Sequence, residues 1–242
     1  MLLKVSQAVI EVGNLAQLQA MQGDLDADYK LIQDIDASET ENWNNGQGFN
    51  PIGEGDNDGK QPNAEFFTGS FDGQNHTISN LSINRLDDDY VGLFGLIGEG
   101  GEVKNVGVIN VNITGNTNVG GLVGKNYNGN ISNSYSTGNV SGDIRVGGLV
   151  GENYGTVSNS YSTGNVTGES DYVGGLVGYN DESVSDSYWD TETSNQSTSA
   201  GSATGLTTSE MQGSSADGNM NFDFTDTWST VTGDYPELQW QE

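Results

Sequence analysis

Three acidic residues at alternate positions, Asp24, Asp26 and Asp28 in DLDADY, are the donor type that a hard cation takes. Calcium is the metal such a set would hold. The segment departs from an EF-hand loop, however, with Tyr29 where the sixth-position Gly belongs and Ile35 where the twelfth-position Glu belongs. A second set is of another kind. Tyr135, Ser136 and Thr137 recur as Tyr161, Ser162 and Thr163. Hydroxyls beside an aromatic ring suit a sugar, which offers both hydrogen-bonding groups and apolar C–H faces. The single imidazole, His76, sits in FDGQNHTIS without a partner of catalytic type beside it, and is read as structural. Nucleophile elbow, Walker loop and dinucleotide fingerprint are all missing. With no Cys, disulfide and thiolate chemistry are excluded.

The charge balance narrows the partners. The 242 residues carry 34 acidic and 7 basic side chains, a formal net charge of −27. Such a surface repels nucleic acid and anionic membranes, and repels itself unless salt screens it. A high-salt setting is therefore expected. The charge is uneven: residues 103–168 hold 3 basic and 2 acidic residues, so the middle of the chain is nearly neutral. Asp56 and Asp58 in GEGDNDGKQPN, and the run Asp87–Asp89, read as solvated acidic loops. No apolar run reaches the ~20 residues of a membrane helix, so no membrane insertion is expected. The opening MLLKVSQAVIEVGN lacks the apolar core of a secretory leader, and the expectation is a mature or excised piece of a secreted protein.

The elements that would position these residues are set by an internal period. VGLFG at Val91 returns as VGGLVG at Val119, Val146 and Val173, at spacings of 28, 27 and 27 residues. Beside it runs a polar phrase, ISNSYSTGNVSG at residues 131–142 and VSNSYSTGNVTG at residues 157–168. Its Asn positions are read as Asn80, Asn105, Asn133 and Asn159. Each unit holds short β-like pieces separated by Gly and Asn turns, and none can bury itself alone. Stacked units solve this by pairing each coil with the coils above and below. The fold class expected is all-β: a parallel β-helix of about 27 residues per coil, right-handed as parallel crossovers usually are. Successive coils then lie ~4.8 Å apart, so each polar residue must match its own copy. The four Asn residues are expected to form an amide ladder, and Tyr135, Tyr161 and Tyr188 to stack. VGGLVG resists simple alternation, which calls for a bulge at Gly120–Gly121 or for two covered faces.

Both ends of an open β-helix need covers. In NLAQLQAMQG, Leu15, Leu18 and Met21 fall at helical spacing with Asn14 as N-cap and Gly23 as stop, so a short capping helix is expected. Residues 208–212 are expected to form another short helix, and Trp228, Tyr235, Leu238 and Trp240 to plug the far end. The organisation expected is an N-terminal cap over 1–28, coils over 29–190 and an irregular C-terminal cap over 191–242.

The steps GLVG at Gly121–Gly124, Gly148–Gly151 and Gly175–Gly178 resemble the GLUG-repeat family, named for glycine-leucine-any-glycine. YKLIQDIDAS, FTGSFDGQNHTISNLSI, SYWDTETSNQSTSAGSATGLTTSEMQG and YPELQW are similar to the flanks those repeats carry, so the resemblance spans roughly residues 14–240. It implies a secreted or cell-surface protein, often adhesive, without catalytic residues to carry over. The expected function is a non-enzymatic extracellular scaffold or adhesin whose partners are surface glycans or other surface proteins. A carbohydrate-active enzyme with carboxylates in a groove is the alternative. An ice-binding protein is a weaker one, because the Thr ladder is short and broken by Ser.

Overall fold

The computed structural model describes residues 8–55, 64–169 and 171–239. Asp56, Asp58 and Trp240 lie outside the described residues. The chain winds as a parallel β-helix. In the longest sheet, parallel strands stack in the order Ile10–Val12, Tyr29–Leu31, Ser70–Asp72, Glu102–Thr114, Asn130–Ser141, Tyr161–Thr163, Tyr188–Asp190 and Thr204–Leu206. This sheet runs past the expected 29–190 limits at both ends. Its first strand precedes the N-terminal helix, and its last belongs to the segment expected to be cap. A second sheet stacks Phe94–Ile97, Val123–Asn126, Val150–Asn153 and Val177–Asn180. A third stacks Thr117–Gly120, Ile144–Gly147 and Val173–Gly174. The register is that of the sequence repeat: Val123 faces Val150, which faces Val177, each 27 residues on.

VGGLVG spans a corner. The third-sheet strand ends at Gly120 and the second-sheet strand begins at Val123, with the bend at Gly121–Leu122. Neither a bulge in one strand nor a doubly covered strand is needed, and Val119, Leu122 and Val123 all enter the core. The glycines make the bend compact. A Cβ on Gly151 would stand 2.5 Å from Val119 N and 2.6 Å from Gly124 O, and one on Gly178 would stand 2.7 Å from Arg145 C. The two sheets thus touch backbone to backbone, which no larger residue allows.

The helix Leu15–Ala20 forms as expected. The Asn14 side chain accepts from Gln17 N at 2.9 Å, and Leu15, Leu18 and Met21 are buried against the coils. Thr208–Met211 is also helical, closed by a capping box between Thr207 and Glu210. A further helix, Ser214–Asn219, follows. No helix among the described residues is long and apolar enough to cross a membrane.

The C-terminal segment corrects an expectation. The end of the coil stack is covered by residues just after Asp190: Thr204–Leu206 pairs with Tyr188–Asp190, and the Ser199 hydroxyl accepts from Val177 N at 2.9 Å. Trp228, Tyr235 and Leu238 are not at the end. They lie along the side of the β-helix, where a separate apolar cluster joins Tyr135, Tyr161 and Tyr188 to Met211, Phe222, Trp228 and Leu238. The segment acts as a strap running back toward the first coils, fastened where Asn75 Nδ2 donates to the Gln239 carbonyl.

Candidate functional site: a cleft between the tyrosine face and the strap

The repeated phrase makes two corners and the face between them. Asn133 bends the chain with φ 45°, and Gly138 bends it again with φ 120°. Asn105, Asn159 and Asp186 hold the first bend in the neighbouring coils with φ of 54°, 47° and 43°. Asn and Asp tolerate this left-handed conformation better than other residues with a Cβ. Asn133 donates to Asn105 at 3.2 Å and Asn105 donates to Asp72 at 3.0 Å, so part of the expected ladder exists. Asn80 is not in it. The register sets Ile78 against Val108, which carries Asn80 to the second corner, where it accepts from Asn110 at 2.7 Å and donates to Asp36 at 3.0 Å. The nearest phrase match, Asn105, is a column away.

A deeper amide ladder went unread. Asn126 donates to Asn153 at 2.8 Å and Asn153 donates to Asn180 at 2.7 Å. Asn126 and Asn153 are fully buried. Their signal in the sequence is the Asn two residues after each GLVG, in GKN, GEN and GYN.

Between the corners, Thr77, Gly107, Tyr135, Tyr161 and Tyr188 form one column across successive coils. Tyr135 and Tyr161 stack with centroids 4.9 Å apart. The Tyr135 ring lies over Gly107, in the space that a Cβ there would occupy. Trp228 covers the stack, 5.7 Å from Tyr161 and 6.0 Å from Tyr135. The Tyr161 hydroxyl donates to the Pro236 carbonyl at 2.7 Å, and the Tyr188 hydroxyl accepts from Asn221 N at 2.7 Å. Tyr135 has no such partner among the described residues, although it is only 5% exposed.

The six hydroxyl and aromatic residues expected to meet a ligand are therefore not an open face. Ser136 and Ser162 point away from solvent, with Ser162 donating to the Gly175 carbonyl at 2.7 Å. Thr163 is buried, and the Tyr135 and Tyr161 rings lie beneath the strap. What remains open is a cleft of about 360 Å³ beside them, reached by Thr137 and by the edges of Tyr135 and Tyr161. Its volume is that of a small-ligand site. Asp34, Asp234 and Glu237 line it, with Asn75 and Thr77 on the coil side. Burial foremost, then the charges of Glu237, Asp34 and Asp234, push the Tyr135 phenol well above its ordinary value. It stays a neutral donor. Asp34 is fixed from behind, where its Oδ1 accepts from Thr77 N at 2.8 Å and meets His76 Nδ1 at 3.3 Å.

Asp24, Asp26 and Asp28 do not converge. Asp26 accepts from the Thr68 hydroxyl, and Asp28 Oδ1 accepts from Ser70 N at 3.1 Å and Ser70 Oγ at 2.7 Å. Asp24 contributes its backbone carbonyl to the Tyr29 hydroxyl at 2.7 Å. These bonds pin the next coil. Among the described residues no three His, Asp or Glu side chains form a group able to hold a metal ion.

The three cations of the neutral middle are each engaged by a glutamate. Glu152, 1% exposed, meets Lys125 at 2.9 Å and Arg145 at 3.3 Å, and Lys104 meets Glu102 at 2.8 Å.

Comparison with known proteins agrees with this architecture. The GLUG motif matches residues 115–141 and 142–167. Halomucin of Haloquadratum walsbyi is 45% identical over 133 residues, covering 53% of this chain and 1% of that protein. A protein of Evansella cellulosilytica, provisionally named a Gly-rich membrane protein, is 38% identical over 102 residues, covering 41% of this chain and 11% of its own length. The chain thus spans a small part of either relative. The crystal structure of a Bacteroides ovatus protein, provisionally named an immunoglobulin A1 protease, superposes with a TM-score of 0.58 at 18% identity, covering 96% of this chain and 92% of that one. At that identity the likeness is one of fold. Two successive coils thus each match the GLUG motif, and over that stretch the chain is similar to GLUG-repeat proteins; its fold is a parallel β-helix.

Proposed function

We propose that this chain is a non-enzymatic module of an extracellular or cell-surface protein, and that it holds a glycan in the cleft between the tyrosine face and the strap. The observation that carries this reading is the Tyr135 hydroxyl, an unpartnered donor on a buried side chain at the cleft wall. The ring is buried while the hydroxyl opens into the cleft without a protein partner among the described residues, so a ligand oxygen there gains a donor held in place by a fixed ring. Carboxylates and hydroxyls around it accept in return. A sugar hydroxyl both donates and accepts, so a polyol matches this mixed wall. The β-helix supplies the rigid frame, and the names of the relatives, a mucin and a membrane protein, agree with a surface setting. The net charge of −27 suits high salt, where self-repulsion is screened.

The test is a glycan array probed with the intact chain in molar salt, with and without calcium. Saturable binding that disappears in Trp228→Ala, while the circular dichroism of the coils is retained, supports the reading. No binding in either condition rejects it. Release of reducing ends from a retained glycan replaces it with the catalytic alternative.

A further inference from the structure

Resting on that reading, the wall chemistry of the cleft points to one class of sugar. We propose that the cleft selects glycans bearing free amino groups, 2-amino-2-deoxy sugars in their ammonium form, over neutral sugars, and that it rejects uronates. Asp34, Asp234 and Glu237 line the cleft, and neither Lys nor Arg does. A uronate would bring a fourth negative charge into a partly enclosed space, where like charges are screened less than in open water. A neutral sugar meets the three carboxylates with hydroxyls alone. An ammonium meets them with the attraction between opposite charges added to its hydrogen bonds, which a hydroxyl cannot supply.

The Tyr135 hydroxyl separates an amino sugar from a bare cation. This donor needs an acceptor, and a lysine ammonium has none. Ring hydroxyls beside an amine supply one. Tyr135 is 5% exposed and leans over Gly107 toward Thr77, so its ring is held fixed and its hydroxyl is presented at the cleft wall. A carboxylate cluster on an open surface would lack this second requirement.

Calorimetric titration of the intact chain with glucosamine, N-acetylglucosamine and galacturonate oligomers of equal length, and with an oligolysine peptide, tests the inference. At moderate ionic strength the glucosamine oligomer is expected to bind at least ~10-fold more tightly than its N-acetylated counterpart, from the ion pairing that only the ammonium makes. Added salt should narrow that margin. Glu237→Gln and Asp234→Asn should remove most of the margin, weakening the glucosamine oligomer by a larger factor than the N-acetylated one. Tyr135→Phe should weaken both oligomers by a similar factor. Equal or tighter binding of the N-acetylated oligomer, or binding of galacturonate, overturns the charge selectivity and leaves the glycan reading standing. Oligolysine binding as tightly as the amino sugar overturns it in favour of a cationic peptide. If none of the three sugars binds, both readings fall.

Discussion

Tyr135 and Tyr161 lie one coil apart with ring centroids separated by 4.9 Å and ring planes within 5° of parallel. The repeat places one above the other, and the inter-coil spacing of ~4.8 Å is close to aromatic stacking distance. Their outer faces are sealed by Trp228, which is fully buried. A column of identical side chains on a β-helix is thus also a docking rail for the strap.

Tyr161 holds the centre of that rail, so its removal should act on the strap first. Tyr161→Ala leaves a cavity under Trp228 and Tyr235 and is expected to cost about 3–5 kcal/mol. Tyr161→Phe loses only the bond to Pro236, at about 1 kcal/mol. Urea unfolding measures both. Limited proteolysis of Tyr161→Ala should cut within residues 213–238 before it cuts the coils.

The amide ladder can be tested at its middle rung. Asn153 is bonded to Asn126 and Asn180, and also to the backbone of Gly155. Asn153→Ala should destabilise by about 1–3 kcal/mol through the buried groups it leaves unpaired. Asn153→Asp should be worse, since it buries a charge and sets a second oxygen against the Asn180 and Gly155 oxygens that Asn153 Nδ2 now serves. Equal midpoints for all three chains in chemical unfolding would remove the ladder from the account.

The GLUG glycines predict a sharp positional contrast. Gly151→Ala pushes a methyl into the backbone of Val119 and Gly124 and should cost at least about 1–3 kcal/mol. A Cβ on Gly23 meets nothing within 4 Å, so Gly23→Ala should stay within about 0.5 kcal/mol of the parent. Thermal melts of the two variants side by side give the answer.

Alkali should lift the strap. Burial foremost, then the bond to Asp190, pushes the Tyr235 phenol from 10.0 up to about 12. Burial also raises Tyr161 and Tyr135 well above that ordinary value. A raised phenol favours the fold through its neutral form. That contribution is complete below pH 10 and is lost as pH climbs toward 12. Stability should therefore fall over this window, with phenolate absorbance rising alongside exposure of Trp228 to solvent. Tyr235→Phe should make the fall shallower.

What the sequence revealed and what it hid divide along the period. Val119, Val146 and Val173 return every 27 residues because each pairs with its own copy, so the coils could be read from the chain alone. The N-cap at Asn14 was equally local. The GLVG bend was harder, because alternation rules describe one strand and this phrase spans two. Asn80 was assigned by phrase to the wrong corner, since the first coils carry longer insertions and break the spacing. The strap left no periodic trace. Tyr161 meets Pro236 across 75 residues, and Asn75 meets Gln239 across 164. Nothing in residues 213–239 repeats to announce where it docks. For the same reason the column that pairs Tyr135 with Tyr161 is legible in the sequence, while the strap that covers it is not.

The most direct test of the cleft is amide hydrogen exchange on the intact chain, with and without a saturating glycan chosen from the array. Added protection is expected at 75–77, 135–137 and 234–238, three of the segments that line the cleft, and at Asp34, Ile109 and Tyr161, with little change elsewhere. Protection confined to the second sheet around Lys125, Tyr154 and Tyr179, with none at the strap, would contradict the assignment of the cleft.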